Sequence, residues 1–365
     1  MSESGYPGSN LSLGVWSNVM RFIPGAGIAV NDLAAKSLAP PNRVKFQLGC
    51  VERWQFVVLQ PDSPDHRPGR ARRGLRDGWG SGRGIRGEWI VRATEKGRKA
   101  VEVWPPLFDL IEKRWVARFG GNTIAALRKF LAEIVDQLDV ELPLALPSDW
   151  EGRGNFPPRT TRDAASLSIP ALLSQLLTEF TLEFHRESRV ALELCANTLR
   201  VLGEKPIPAG EIPALTGGSP EKTDIGWRLK PFVIVERNRK DRGKVLRLSA
   251  LGILVQANYH RLLREIEERW EKRFGANQIH ELRESLRTLL TQREGGRLLI
   301  SEGLLAPEGV VRSGKQVPAL GREAVAAAAR QRSRDLVQQT QLFIQDPAHT
   351  LPHYPLWDMN RGFGP

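Results

Sequence analysis

The sequence is poor in cysteine: Cys50 and Cys195 are the only two among 365 residues. Two cysteines cannot build the disulfide framework of a small secreted protein, and both stand in apolar, helix-like settings. We therefore expect buried, reduced thiols, with a redox switch at Cys50 as the less favoured alternative. The chain also lacks an apolar run of membrane-spanning length and an N-terminal basic region followed by an apolar stretch. These absences predict a cytoplasmic protein with no secretory signal and no membrane partner.

Residue patterns typical of catalysis are missing as well. The six histidines show no metal-ligand spacing with one another or with the cysteines, and no Gly-rich loop lies between a strand and a helix. One predicted helix carries four residues that could take part in catalysis: Glu183, His185, Glu187 and Glu193. Ordinary charged positions on the exposed face of a helix account for their presence more simply. A remnant of a site at His349, His353 and Asp358 is a weak alternative. The sequence thus predicts no enzyme, no metal and no cofactor.

Acidic residues are outnumbered: 41 Asp and Glu face 53 Lys and Arg, which gives a formal net charge of +12 and a pI near 10.1. Such a chain attracts polyanions, either nucleic acid or an anionic membrane surface. On charge alone, a soluble protein that is merely basic remains an alternative.

What the chain does have is an internal repeat. Trp115–Gly120 (WVARFG) and Trp270–Gly275 (WEKRFG) are 155 residues apart, and Thr94–Gly97 matches Ser249–Gly252 at the same distance. Two copies suggest two like domains, either a monomeric pseudo-dimer or a chain that forms a homodimer again. We place the first domain at 11–142, a linker at 143–164, the second domain at 165–300, and a C-terminal helix and tail at 301–365.

Both copies have the same predicted order of elements: helices, a basic hairpin and a long capped helix. This order predicts a mainly α fold with small β-hairpins (α+β), made of two tandem winged helix-turn-helix domains with long dimerisation-type helices in an intramolecular pseudo-dimer. The first hairpin is 21 residues longer (176 − 155). Pro105-Pro106 predicts a break or kink in the first long helix. The predicted elements are Ile28–Leu38, Asn42–Trp54, Phe56–Leu59 and Glu88–Arg92 with Thr94 as cap in copy one, and Phe184–Leu202, Pro208–Leu215, Ser219–Lys230, Phe232–Val235 and Val245–Leu248 with Ser249 as cap in copy two, followed by an apolar stripe from Leu251 to Phe274.

A winged helix binds duplex DNA with its third helix in the major groove and its hairpin, the wing, on phosphates or in the minor groove. Arginine on Gly-rich backbone suits a narrow minor groove. A solvated charged hairpin and an ordinary polar helix face are the alternatives. The candidate DNA-contacting residues are Ser219, Lys222, Thr223 and Arg228 on the third helix of copy two; Arg237, Arg239, Lys240, Arg242 and Lys244 on its wing; Asn42, Arg43, Lys45, Gln47 and Arg53 on the third helix of copy one; and Arg67, Arg70, Arg72, Arg73, Arg76, Arg83 and Arg86 on its wing.

The segment FVIVERNRKDRGKVLRLSALGILVQ, followed by a helix ending in ERWEKRFG, resembles the MarR-type transcriptional regulators. The doubled copy and the C-terminal LPHYPLW and RGFG are similar to a duplicated, actinobacterial-like form of that fold. The resemblance implies a repressor or activator that binds double-stranded DNA and responds to a small-molecule effector. Two departures are Pro40-Pro41, before the third helix of copy one, and the long first wing.

A scaffold for a ligand or a protein partner, with DNA binding weak or lost, is the alternative function. In that case the aromatic residues of the long helices would line an apolar pocket, although such stripes are usually core. The residues concerned are Trp104, Trp115, Tyr259 and Trp270.

Overall fold

The computed structural model describes residues 17–60, 84–146, 156–216, 229–237, 243–294 and 297–298. The fold is mainly helical with small antiparallel sheets, which confirms the predicted α+β class. Contacts divide the chain into two compact units. The first holds the described residues up to Arg186 together with Trp270–Leu282, and the second holds Glu187–Arg269 with the described residues from Arg283. No helix in the described residues is long and apolar enough to cross a membrane.

Copy one begins with a 3-10 turn at Met20–Phe22 and contains a three-stranded antiparallel sheet in the order β1-β3-β2. Leu33, Leu48, Phe56 and Val91 are fully buried and place the core between this sheet and the first two helices. The elements are β1 (Ile28–Ala29), α1 (Val30–Ser37), α2 (Pro41–Arg53), β2 (Val57–Gln60), β3 (Ile90–Ala93), α3 (Glu95–Phe119) and α4 (Gly121–Val135).

Copy two has a matching sheet in the order β4-β6-β5. Before it come α5 and a π-helical segment at Leu194–Leu199, and after it two long helices and a small hairpin. The elements are α5 (Ile169–Glu187), β4 (Ile207–Pro208), α6 (Ile212–Thr216), β5 (Val233–Arg237), β6 (Lys244–Leu248), α7 (Ala250–Phe274), α8 (Ala276–Thr291), β7 (Arg293–Glu294) and β8 (Arg297–Leu298).

The joint between sheet and long helix is built identically in the two copies. In copy one, the Thr94 hydroxyl accepts the Gly97 N–H at 3.1 Å, and the Thr94 N–H donates to the Phe56 carbonyl at 3.0 Å. In copy two, the Ser249 hydroxyl accepts the Gly252 N–H at 3.1 Å, and the Ser249 N–H donates to the Phe232 carbonyl at 2.9 Å. Both predicted N-caps are therefore confirmed.

Glycine is required at this joint for lack of space. A Cβ on Gly97 would stand 2.0 Å from the Phe56 carbonyl oxygen, and one on Gly252 would stand 2.1 Å from that of Phe232. The strand can pass this close to the helix only because neither residue has a side chain.

The joint after the long helix is also repeated. Gly120 and Gly275 end the two helices with φ of 88° and 97°, values that favour glycine. The next helix then folds back so that Arg128 pairs with Glu112 in copy one, and Arg283 with Glu267 in copy two. Arg283 lies 155 residues after Arg128, and Glu267 lies 155 residues after Glu112. The offset of the sequence repeat therefore also relates these two contacts.

The structure contradicts one prediction about helices and adds detail to two others. The predicted helix Phe184–Leu202 is interrupted, because α5 ends at Glu187 and the Ser188 hydroxyl donates to the Val190 carbonyl at 2.9 Å, a local turn that competes with the helix. Helix α3 is not broken at its exposed prolines and runs to Phe119. The apolar stripe of α7 is buried from Tyr259 to Phe274, but Leu251 is 48% exposed.

The described ends of the predicted linker are packed. Leu146 is buried, and its carbonyl accepts the Asn18 side-chain amide at 3.4 Å. On the far side, the Glu141 N–H donates to the Pro157 carbonyl at 2.8 Å. The chain on either side of 147–155 is thus attached to the first unit.

Candidate nucleic-acid interface

The hairpin of copy two presents basic side chains at its open end. Arg237 and Lys244 lie opposite each other in the β5–β6 register, and both are exposed. The next pair in the register is Glu236 with Val245, and the Arg247 guanidinium bonds the Glu236 carboxylate across the strands at 2.9 Å. Arg247 is therefore partly neutralised, whereas Arg237 and Lys244 carry positive charge toward solvent.

The hairpin of copy one is attached to helix α1 at its base. The Asn31 N–H donates to the Gly87 carbonyl at 2.9 Å, and the Val30 N–H donates to the Trp89 carbonyl at 3.0 Å. Arg86 is exposed, with a guanidinium nitrogen 3.9 Å from the Glu88 carboxylate. An exposed pair at this distance leaves the Arg86 guanidinium largely hydrated.

Helix α2 occupies the place of the predicted third helix of copy one. It begins at Pro41, and the turn before it puts Leu38 at φ 53°, a left-handed conformation usually taken by glycine. Asn42 is exposed, while Arg43 and Lys45 are half-buried, so this end of the helix offers polar groups to a partner. Arg53, at the other end, is exposed too.

Gln47 was wrongly assigned to the DNA-facing surface. Its side chain is 2% exposed. Gln47 lies three residues after Val44, one before Leu48 and four before Val51, and all three of these residues are buried. These positions form the buried stripe of α2, so Gln47 points into the core.

The remaining predicted DNA contacts lie outside the described residues and stay predictions. They are Ser219, Lys222, Thr223 and Arg228; Arg239, Lys240 and Arg242; and Arg67, Arg70, Arg72, Arg73, Arg76 and Arg83.

The aromatic residues suggested for a pocket are described in part. Trp270 is packed between Phe180 and Phe274, with ring centroids at 5.6 and 5.4 Å, and its indole N–H donates to the Glu183 carboxylate at 2.8 Å. These are the contacts of a core tryptophan. Tyr259 is buried, Trp115 is half-buried, and the Trp104 side chain lies outside the described part, so a pocket stays a prediction.

Sequence reasoning missed two buried acids on α5. Glu183 is 7% exposed and Glu179 is 4% exposed. The sequence had instead favoured Glu183 as one of the exposed charges on the surface of its helix. Arg273 bonds Glu179 at 3.2 Å and Asp139 at 2.8 Å. Burial raises the pKa of Glu179, and the Arg273 guanidinium opposes that rise. A signal was present, since the residues of α5 at 172, 176, 180 and 184 are apolar and Glu179 and Glu183 lie next to them at helical spacing.

Both cysteines are free and buried, as predicted. Burial raises the pKa of the Cys195 thiol to about 12 and also raises that of Cys50. Within the described ranges, no group of three or more His, Cys, Asp or Glu side chains could hold a metal ion.

The described site is therefore a set of solvated cations on two hairpins and one helix end. Such groups can bind a polyanion. Comparisons with protein-family models, with curated proteins and with solved structures find no match to this chain.

Proposed function

We propose that this protein is a transcriptional regulator that binds double-stranded DNA through two winged-helix domains in one chain. The observation that carries the proposal is the repeated sheet-to-helix unit with a basic hairpin in each copy.

The order of elements supports the winged-helix assignment. In copy one, β1, α1, α2, β2, β3 and α3 follow one another, with a three-residue turn between α1 and α2. Copy two repeats the strand order, and residues 217–228 fall between α6 and β5, where copy one has α2. A short helix pair followed by a hairpin is the helix-turn-helix with its wing.

Charge supports DNA as the partner. Each phosphate that a Lys or Arg neutralises releases counterions, so a basic hairpin gains affinity for a duplex in a salt-dependent way. In copy two, the exposed Arg237 and Lys244 flank NRKDRG, which adds Arg239, Lys240 and Arg242 within four residues. A membrane surface would also attract these charges, but the sequence of residues 236–244 contains no apolar side chain that could insert into lipid.

The two copies are not equivalent toward bases. Helix α2 of copy one has Asn42, Arg43 and Lys45 near its N-terminal end, where recognition helices contact base edges. Because Gln47 is buried, Asn42 is the one side-chain amide of this helix that can make a bidentate contact with adenine. We infer that copy one contributes mainly phosphate contacts and that copy two carries more of the sequence preference.

The test is duplex binding by fluorescence anisotropy from 50 to 300 mM salt, with DNA from upstream of the protein's own gene and with random duplex. The double variant Arg237→Glu/Lys244→Glu is compared with Arg264→Glu/Lys272→Glu, which changes the net charge equally at exposed positions of α7. We expect the hairpin variant to lower the log–log salt slope by about two, since each phosphate contact contributes about 0.9. The α7 variant should leave the slope unchanged.

Equal losses in the two variants would mean that net charge alone attracts the duplex. No preference for the upstream fragment over random duplex would refute the regulator and leave a ligand-binding or protein-interaction scaffold as the function.

A further inference from the structure

One side of α7, the long helix of copy two, is buried near its C-terminal end. The Trp270 ring packs edge-on against Phe180 of α5 with centroids 5.6 Å apart, and its indole N–H donates to the Glu183 carboxylate of α5 at 2.8 Å. Ile266, about one turn before Trp270 on the same side of α7, is fully buried. This side of α7 is therefore part of the core.

Ion pairs between α5 and α7 flank these apolar contacts. Arg273 bonds Glu179 at 3.2 Å, and Arg269 bonds Glu187 at 2.8 Å. Glu179, Glu183 and Glu187 are spaced by four residues, so they follow one side of α5. The contact thus joins an acidic, aromatic helix to a basic, aromatic one.

The long helix of copy one, α3, has the same residues on the equivalent face. Four of its positions carry the same residue type as the position 155 residues later in α7: Ile111, Arg114, Trp115 and Arg118. In copy one this face is open, because Ile111 is 40% exposed and Trp115 is half-buried, whereas their counterparts in α7 are buried. The adjacent Leu110 is also 40% exposed, and its counterpart in copy two is a glutamate. Copy one therefore exposes an apolar face that copy two buries.

Two segments of the same chain are poor matches for this face. Residues 1–16, which precede copy one, contain a single acidic residue, Glu3. Residues 322–343 contain four arginines but only two acids, so they would bring like charges to the arginines of α3. Neither segment has glutamates at four-residue spacing beside aromatic residues.

A second copy of the chain is also a poor match. In a two-fold dimer the same patch lies on both sides of the interface, so the arginines of one α3 would approach those of the other. The charge of the face instead favours a partner that carries carboxylates.

We propose that the α3 face made of Leu110, Ile111, Arg114, Trp115 and Arg118 is a docking site for an acidic amphipathic helix of a partner protein. The partner helix has acidic residues four positions apart beside aromatic residues, as α5 has. Its apolar side covers Ile111 and Trp115, and its carboxylates approach the arginines. The face lies outside the hairpins and α2, so docking does not depend on DNA binding.

A peptide with the sequence of α5, residues 168–187, serves as the probe. Fluorescence anisotropy measures binding of the labelled peptide to the full chain. The attached α5 competes for α7 at the high effective concentration of a tethered segment, so the added peptide should bind at α3. We expect one peptide per chain, and binding about fivefold weaker when its three glutamates are replaced with glutamine, because exposed ion pairs contribute modestly.

Two glutamate variants of α3 locate the binding. Ile111→Glu should weaken peptide binding by at least about tenfold, since it places a charge at the apolar centre of the contact. Val116→Glu is the matched control, because Val116 is also 40% exposed but lies about 140° further around the helix; it should bind like the wild type. If circular dichroism shows that Ile111→Glu does not fold, Leu110→Glu replaces it and should weaken binding about threefold or more.

Several results would overturn the proposal and leave DNA binding untouched. They are failure of the peptide to bind, equal binding of the glutamine peptide, and equal effects of the Ile111 and Val116 variants. Sedimentation of the chain alone tests the second copy as occupant, since a dimer that Ile111→Glu dissociates would assign the face to self-association. Displacement of the probe by a peptide of residues 322–343 would assign it to the C-terminal segment instead.

Discussion

Replacing the glycine in the first turn of either long helix, Gly97 or Gly252, with alanine should lower the free energy of unfolding. A real Cβ is essentially never within 3.0 Å of another heavy atom, but in Gly97→Ala it would lie 2.0 Å from the Phe56 carbonyl oxygen. The carbonyl must therefore move by about 1 Å, and it also accepts the Thr94 N–H at 3.0 Å. Overpacking of this kind costs about 1–3 kcal/mol, and weakening the hydrogen bond adds about 1 kcal/mol.

Helix propensity acts in the opposite direction. Alanine is more favourable than glycine in a helix by about 1 kcal/mol. The net expectation for Gly97→Ala, and likewise for Gly252→Ala, is a loss of about 1–3 kcal/mol in the free energy of unfolding. Urea unfolding followed by circular dichroism measures it.

A matched control separates the two effects. Gly121 begins α4, and a Cβ there would meet nothing closer than Val116 at 3.9 Å. Gly121→Ala should therefore be neutral or stabilising by up to about 1 kcal/mol. If Gly97→Ala or Gly252→Ala stabilised the protein as the control does, the close approach of strand and helix would be refuted.

Three further predictions concern buried groups. Because burial raises the pKa of Cys195 to about 12, its thiol should react with a thiol reagent at pH 8 only after unfolding, and rapid reaction of the native chain would contradict its burial. Trp270→Phe should lower the free energy of unfolding in urea by about 1–3 kcal/mol, since the Glu183 carboxylate loses its buried indole donor. The loss should exceed that of Trp115→Phe, at a half-buried position. Equal losses in the two variants would contradict the importance of the hydrogen bond between Trp270 and Glu183. Because the pKa of Glu179 is raised, the folded state binds more protons than the unfolded state at pH values above the ordinary pKa of Glu. The free energy of unfolding of the wild type should therefore fall relative to that of Glu179→Gln as the pH rises from about 4 to 7. A parallel pH dependence of the two proteins would show that Glu179 titrates normally.

Local signals predicted the parts of the fold that depend on local chemistry. Thr94 and Ser249 could be identified as caps because a hydroxyl three residues before a helical N–H is a short-range arrangement. The FVVL and FVIV strands were found from their β-branched residues. The two-residue strands β1 and β4 were missed, since they are defined only by pairing with β3 and β6.

The burial of individual side chains could not be predicted from the sequence where it depends on contacts between distant parts of the chain. Glu183 is polar by composition but is buried because Trp270, 87 residues later, supplies its hydrogen bond. Leu251 is apolar but exposed, and its counterpart in copy one is Lys96. Gln47 belongs to the buried face of α2, and the error there came from treating every polar residue of a third helix as a groove contact.

If the protein functions as proposed, both copies bind the same duplex. Amide hydrogen exchange of the full chain, with and without its preferred DNA, tests this most directly. We expect slower exchange at residues 61–87 and 238–243 and at residues 41–53 and 217–230. Tight binding with protection in neither hairpin, or in one copy alone, would contradict it.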